Sequence, residues 1–192
     1  GGALFIAAGR LDWSRGWICM GLFLVTTAIN LTGVVWKNPG LIEERWKRHK
    51  DTKRFDKLFA VVYTPLAFGL PVLAGLDAVR FGWSSMALET VYVGAVLHLL
   101  GAVPISWAMA TNPYLEATVR IQTERGHTVV TTGPYRVVRH PMYVGAILQY
   151  VAMPLVLGSQ WAYVPAGTAI VLFVIRTVLE DRTLRKELTG YE

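Results

Sequence analysis

Residues 142–175 read MYVGAILQYVAMPLVLGSQWAYVPAGTAIVLFVI, a run without a single charged residue. A helix needs roughly 20 apolar residues to cross about 30 Å of hydrocarbon, so this run is too long for one ordinary span. The tripeptide GSQ at 158–160 is a turn signal near its middle. The run therefore predicts a tight hairpin of two membrane-spanning helices, at 142–157 and 161–179.

Three other stretches lack charge in the same way, and they predict spans at 17–36, 58–76 and 90–111. The whole chain of 192 residues is 53% hydrophobic and only 17% charged, whereas about a quarter of the residues of a soluble domain are charged. We therefore expect an all-α integral membrane bundle of about five transmembrane helices. The opening GGALFIAAGR resembles the end of another apolar segment and lacks the pattern of a signal peptide.

Basic residues predict the orientation of the bundle. Residues 37–57 carry eight Lys or Arg, residues 111–140 carry four Arg, and the tail after Ile175 carries four more basic residues. With the spans above, these three segments lie on one side, which the positive-inside rule makes cytoplasmic. We thus predict a multi-pass protein with its C-terminus and basic loops in the cytoplasm. Its net charge of +6 fits attraction to anionic membrane lipids, and no binding of nucleic acid is expected.

The expected organisation is one structural domain with two regions. Residues 1–110 hold three spans and the basic loop 37–57, and residues 111–192 hold a second region with the helical hairpin 142–179. Three residues with reactive side chains are expected to be structural. Cys19 lies inside a span and should pack, His98 should bond a neighbouring helix, and His49 should be solvated.

Polar residues are concentrated in GHTVVTTGPYRVVRHPMYVG, residues 126–145. Pro141 suits the first turn of a helix, so Arg139 and His140 should lie at the mouth of the fourth span. The Gly133-Pro134 turn should fold residues 111–132 back over that mouth. Each polar residue alone could be an interfacial anchor. An aromatic belt does not require a His, a Gly-Pro turn and an Arg-His-Pro sequence in one segment. Their occurrence together therefore predicts a pocket.

A second polar cluster, IRTVLEDRTLRKELTGYE, closes the chain at residues 175–192. Asp181 and Arg185 have the spacing of an exposed helical ion pair. Arg176 and Glu180 share a helix face in the same way, but Arg176 lies at the membrane boundary, where ionisable groups are costly and tend to be functional. A short hairpin brings its two ends together. We therefore expect Arg176 and Glu180 to approach Arg139 and His140 in one pocket.

These two clusters resemble the isoprenylcysteine carboxyl methyltransferase family. HTVVTTGPYRVVRHPMYVG is similar to the family signature, in which a His and a Gly-Pro-Tyr-like turn precede Arg-His-Pro-x-Tyr-x-Gly. RTVLEDRTL is similar to its second motif, and ELTGYE looks like the beginning of its closing segment. The resemblance extends from Asn112 onward. It departs from the family pattern in one paired acid, which is Glu-Asp here and not Glu-Glu.

The resemblance implies methyl transfer from S-adenosylmethionine by an integral membrane enzyme with a cytoplasmic cofactor pocket in its C-terminal half. Arg176 would be the catalytic residue facing the acceptor, and Gly145 would allow close helix approach. No metal is implied. The residues that the resemblance assigns to the cofactor are His127, Gly133, Tyr135, Arg139, His140, Tyr143, Glu180 and Asp181.

The chemistry of the donor is compatible with those residue types. Its ammonium needs an anion, which Glu180 can supply, and its carboxylate needs donors, such as Arg139 with His140 or His127. Aromatic rings can form a wall near the sulfonium methyl. The acceptor is expected to be a lipid or small apolar molecule with a carboxylate, thiol or amine, and the sequence leaves that choice open.

Two other function classes remain open from the sequence. The C-terminal part of membrane sterol reductases is similar in this region, and it would imply NADPH and hydride transfer. The chain has no Rossmann glycine pattern, although such reductases would not need one. The other class is a non-enzymatic membrane module or small transporter. Against it, the predicted pocket lies at one membrane surface and not at the midplane, where transporter sites are usual.

Overall fold

The computed structural model describes residues 2–47 and 51–191, and within those ranges the chain is helical with no strand. His49 lies outside the described residues. The expected all-α architecture is confirmed. Seven α-helices follow one another: α1 (Gly2–Ala8), α2 (Ser14–Lys37), α3 (Gly40–Trp46), α4 (Arg54–Gly75), α5 (Thr90–Thr111), α6 (Pro141–Leu157) and α7 (Tyr163–Glu187).

Four of these helices are long and apolar enough to cross a membrane. They are α2, α5, α7 and α4 together with the π-helical turn Leu76–Phe81 that extends it, while α6 is a shorter apolar helix. The third predicted span matches α5 at both ends. The other long helices run past the predicted bounds, because the sequence marks only the uncharged part of a helix whose backbone hydrogen bonding continues into charged turns.

The hairpin predicted from residues 142–175 is present. Helix α6 ends at Leu157, and Gly158 follows with φ of +74°, in the left-handed region that favours glycine. Helix α7 then begins at Tyr163, two residues later than predicted, after a short turn. The hairpin brings the N-terminus of α6 and the C-terminal half of α7 to the same end of the bundle.

Helix α6 packs closely against α5 through glycines. A methyl group added at Gly145 would lie 2.3 Å from the carbonyl oxygen of Gly101, and one added at Gly101 would lie 2.7 Å from the carbonyl oxygen of Gly145. Small residues permit this backbone contact, as is common between membrane helices. The close approach expected at Gly145 is therefore observed.

The apolar core lies mainly at the end of the bundle away from the two polar clusters. There α1 packs against α4, and Phe5, Trp13, Leu70 and Leu157 are buried together with Cys19. Large apolar side chains on the outer faces of the spans are exposed, as expected for surfaces in contact with lipid. Cys19 therefore has the packing role predicted for it.

Two polar side chains of the bundle, Arg15 and His98, bond to neighbouring elements. Arg15 donates to the carbonyl oxygens of Leu155 (3.0 Å) and Ala87 (2.7 Å), which satisfies the C-terminal end of α6. His98 is buried, with Nε2 at 3.3 Å from the hydroxyl of Thr26 on α2. The prediction that His98 bonds a neighbouring helix is confirmed.

Candidate functional site

A cleft opens at the charged end of the bundle, where α5 ends, α6 begins and the last turns of α7 pass alongside. Its cavity volume is about 70 Å³. Part of the loop between α5 and α6 forms one wall, so the expected folding of residues 111–132 over the mouth of α6 is observed. The lining includes most of the predicted cofactor residues: His127, Tyr135, Arg139, His140, Tyr143 and Glu180, with the apolar Leu115, Val130, Leu184 and Leu188.

Glu180 is the anionic centre of this cleft. It accepts a hydrogen bond from the hydroxyl of the buried Tyr143, and its other oxygen lies 3.9 Å from Nδ1 of His140. The His140 and Tyr143 rings stack with centroids 5.7 Å apart. Pro141 begins α6, so His140 and Tyr143 are three positions apart in its first turn and lie on one face. The first turn of α6 therefore holds a carboxylate from α7 in a fixed position.

Asp181 and Arg139 form the rim of the cleft. Arg139 Nη1 lies 3.3 Å from Asp181 Oδ1, and the same oxygen accepts a hydrogen bond from the Tyr191 hydroxyl at 3.1 Å. The Arg139 guanidinium also lies over the Tyr191 ring, 5.4 Å from its centroid. The predicted pair between Asp181 and Arg185 is present at 2.8 Å. Tyr191, which was not among the predicted site residues, thus closes the cleft from the chain terminus.

His127 faces the cleft from the loop wall. Its ring stacks on Tyr114 with centroids 4.4 Å apart, and Nδ1 accepts the backbone N–H of Gln122 at 3.4 Å. Burial lowers the pKa of His127 below its ordinary value of 6.5, so the ring is neutral at pH 7. The accepted hydrogen bond assigns the proton to Nε2, which makes His127 a neutral donor.

Tyr135 and Gly133 belong to the Gly-Pro turn, a 3₁₀ turn at Gly133–Arg136. The Tyr135 hydroxyl accepts from the Asn112 side chain at 3.0 Å, and burial raises its pKa to about 12. Gly133 has φ of +58° and faces Thr111 on α5, where an added methyl would lie 2.8 Å from the hydroxyl. Gly133 therefore shapes the turn, and it is not part of the cleft lining.

Arg176 departs from the expected arrangement. It points towards α4, where Nη2 lies 2.8 Å from Oδ1 of Asp56, and it also donates to the carbonyl oxygen of Ala117 at 3.0 Å. Glu180, one turn further along α7, is bonded by Tyr143 instead. The predicted meeting with Arg139 and His140 thus holds for Glu180. Arg176 shares another cavity with Glu180, His127 and Tyr143, and the lining of that cavity does not include Arg139 or His140.

A further cavity begins at Arg176 and runs between α4 and α5, with α6 as its floor. Its volume is about 760 Å³. Tyr143 and Met142 line both this groove and the cleft, so they form the wall at which the two cavities meet. The groove residues are mostly apolar or aromatic along the helices, with charged residues at the inner end: Phe59, Ala60, Tyr63, Ile105, Met109, Ala146 and Phe173, then Arg45, Asp56 and Arg176.

Asp56 is the site residue that the sequence analysis missed. It lies in a loop with many charges, where an acidic residue normally indicates a solvated surface. One signal was available, because Asp56, Phe59 and Tyr63 have the spacing of one helix face. In the structure that face is turned inward, and Asp56 is only 3% exposed. Among the described residues, no group of His, Cys, Asp and Glu could hold a metal ion.

Comparison with known families gives one match. The sequence profile of phospholipid methyltransferases (PEMT) matches residues 90–189, which include α5, α6, α7 and the loop wall of the cleft. No curated protein and no solved structure matches the chain. Because the match covers more than half of the chain, the protein belongs to the phospholipid methyltransferase family, the integral membrane methyltransferases to which its two polar motifs pointed.

Proposed function

We propose that this protein transfers a methyl group from S-adenosylmethionine to a lipid-like acceptor at the membrane surface. The observation that carries the proposal is the meeting of two cavities of different character at Tyr143. One is a cleft that holds Glu180 together with Arg139, His127 and His140, and the other is a groove between helices with apolar side chains along the helices and charged residues at one end. A water-soluble donor and a membrane-soluble acceptor require this combination.

The residues of the cleft suit the donor. A carboxylate can accept up to about four hydrogen bonds, and Glu180 has the Tyr143 hydroxyl as its close partner, so capacity is left for the donor's ammonium. His127 Nε2–H and the Arg139 guanidinium can bind its carboxylate. Tyr135 and Tyr143 offer aromatic surface near the sulfonium. When bound, the donor supplies the methyl group and leaves as a neutral sulfide.

The groove suits an acceptor with an apolar tail and an anionic head. Two guanidinium groups lie at its inner end, Arg176 and Arg45. Arg45 donates to the carbonyl oxygen of Leu115 at 2.9 Å. The groove lining has four basic residues, Arg45, Lys47, Lys57 and Arg176, and two acidic ones, Asp56 and Glu116. Burial, and then the charge of Arg176, lower the pKa of Arg45. This positive potential favours a carboxylate or thiolate head over an ammonium.

Catalysis would come mainly from positioning. Methyl transfer is an in-line displacement on carbon, so holding the two reactants at contact distance in a site without water can supply most of the rate. Tyr143 and Met142 form the shared wall of the two cavities, and Arg176 would hold the acceptor head. The chain needs no covalent intermediate for this reaction.

The charged end of the bundle is proposed to face the cytoplasm, as the distribution of basic residues predicts. A cysteine at Ser85, on the opposite side, should react with a membrane-impermeant maleimide on intact cells. A cysteine at Lys186, near the cleft, should react only after the membrane is opened. The reverse pattern would show the opposite orientation.

The function is tested by ligand binding to the purified protein in detergent. S-adenosylhomocysteine should bind, and NADPH should not. Glu180→Gln should weaken this binding by about tenfold or more, because a hydrogen bond to a charged group contributes roughly 1.5–3 kcal/mol. Asp12→Asn removes an exposed charge next to Trp13, at the other end of the bundle, and should have no effect. Binding of NADPH alone would favour the reductase class, and unchanged affinity in Glu180→Gln would contradict the donor site.

A further inference from the structure

We infer that Asp56 is the positioning residue for Arg176, an assignment that rests on the proposed methyl transfer. Asp56 lies in the first turn of α4, outside the residues 90–189 that match the family. Its side chain is buried against α7 and the loop wall of the cleft. The N-terminal half of the chain thereby contributes to the site.

Each carboxylate oxygen of Asp56 faces another element, Oδ2 through a hydrogen bond and Oδ1 through an ion pair that has no hydrogen-bond geometry within the described residues. Oδ1 lies 2.8 Å from Nη2 of Arg176, and Oδ2 accepts the backbone N–H of Val119 at 2.9 Å. The carbonyl oxygen of Val119 in turn accepts the backbone N–H of Lys53 at 3.1 Å. One carboxylate therefore joins α4, α7 and the loop between α5 and α6. Because Asp56 is buried and paired with Arg176, it acts on the acceptor through Arg176.

A carbonyl oxygen and two aromatic rings also contact Arg176, and they fix the plane of its guanidinium without adding a negative charge. The carbonyl oxygen of Ala117 accepts one hydrogen bond. The Phe59 and Tyr143 rings also contact the guanidinium, with centroids 4.4 Å and 5.5 Å from its central carbon. Asp56 is thus the counter-charge that determines which guanidinium nitrogens turn towards α4 and which stay available.

One nitrogen of Arg176 does stay available. Nε is buried and has no hydrogen-bond partner within residues 2–47 and 51–191. A buried cationic N–H without a partner is costly, and such groups are found where a ligand completes the hydrogen bonding. Arg176 also lines the groove. We therefore assign Arg176, in the orientation that Asp56 imposes, to the head of the acceptor.

The test separates acceptor turnover from donor binding in four purified proteins: wild type, Asp56→Asn, Asp56→Glu and the control Asp12→Asn. Methyl transfer from radiolabelled S-adenosylmethionine is measured with N-acetyl-S-farnesylcysteine, phosphatidylethanolamine and dodecanethiol as carboxylate, amine and thiol probes. Affinity for S-adenosylhomocysteine is measured by calorimetry. Asp56→Asn should lower kcat at least tenfold with donor Kd within threefold, and Asp56→Glu, which restores the charge, should recover part of that loss.

The outcomes distinguish this inference from a purely structural role. If Asp56 only stabilised the fold, Asp56→Asn would lower the melting temperature while kcat per donor-binding protein stayed within twofold of wild type, and the inference would be wrong. An equal loss of donor affinity and turnover would also overturn it. If Asp56→Asn does not fold, Asp56→Glu becomes the deciding variant, because its carboxylate is displaced by one methylene group. A wild-type kcat in Asp56→Glu would then contradict a positioning role for Asp56.

Failure of the proposed function would look different. In that case the wild-type protein would methylate none of the three probes, whatever stands at position 56. An active wild type with an equally active Asp56→Asn overturns the inference alone.

Discussion

A guanidinium inside an apolar bundle is stable only if a carboxylate and further acceptors surround it, because burying a charge without partners is costly. Arg176 meets this condition through Asp56 and the Ala117 carbonyl oxygen. The sequence indicated that Arg176 is unusual, since it follows a long uncharged run. The identity of its partner could not be predicted, because spacing along α7 favours Glu180 while the actual carboxylate comes from a distant helix.

His127 gives a prediction at the same scale, because burial lowers its pKa below 6.5. The unfolded chain then binds a proton to His127 at pH values where the folded chain does not. The free energy of unfolding is therefore highest above pH 6.5 and decreases as the pH falls below that value. His127→Asn keeps an acceptor for the Gln122 N–H but cannot take up this proton. Its melting temperature in detergent should therefore fall less than that of the wild type between pH 7.5 and 5.5. An identical decrease in both proteins would contradict this assignment.

At the scale of helices, the features predicted correctly from the sequence are those that depend on local sequence signals. Uncharged runs located the spans, GSQ located the hairpin turn, and Pro141 located the start of α6. The sequence placed His127, His140 and Glu180 correctly at one end of the bundle. It could not give the contacts of the loop between α5 and α6, because they depend on tertiary pairs such as Val119 with Asp56.

The glycine contact between α5 and α6 gives the prediction at this scale. Gly145→Ala would place a methyl group 2.3 Å from the carbonyl oxygen of Gly101, so the two backbones must separate. Overpacking of this kind typically costs about 1–3 kcal/mol, and the melting temperature should fall by several degrees. Gly69→Ala is the matched control, since no atom lies within 4 Å of its added methyl. Equal melting temperatures for the two variants would show that the helices are not held this closely.

At the scale of the whole molecule, the site is assembled from both halves of the chain. The family match covers the donor cleft, which lies on α6, α7 and the loop before them. The groove needs α4 as its second wall, and the charged inner end needs Arg45 from α3 and Asp56 from α4. The proposed acceptor groove is thus built in part by α3 and α4, which lie outside the matched residues 90–189.

The last prediction concerns the route of the acceptor through this groove. Ala60 lies on α4, is exposed and lines the groove without contributing to the cleft. Ala60→Trp should fill the space between α4 and α5, and kcat/KM for whichever lipid-like probe the wild type methylates should fall at least tenfold because the tail loses its place. The affinity for S-adenosylhomocysteine should stay within twofold, since the donor enters the cleft from the other side of Tyr143.

Ala28→Trp is the matched control, because Ala28 is an exposed alanine on α2 that lies outside the groove. It adds the same indole to the lipid-facing surface and should leave both measurements unchanged. A soluble probe without an apolar tail does not need the groove, so its methylation should survive in Ala60→Trp. If turnover of the lipid-like probe is also preserved there, the acceptor reaches Tyr143 by another path, and the space between α4 and α5 is not its entrance.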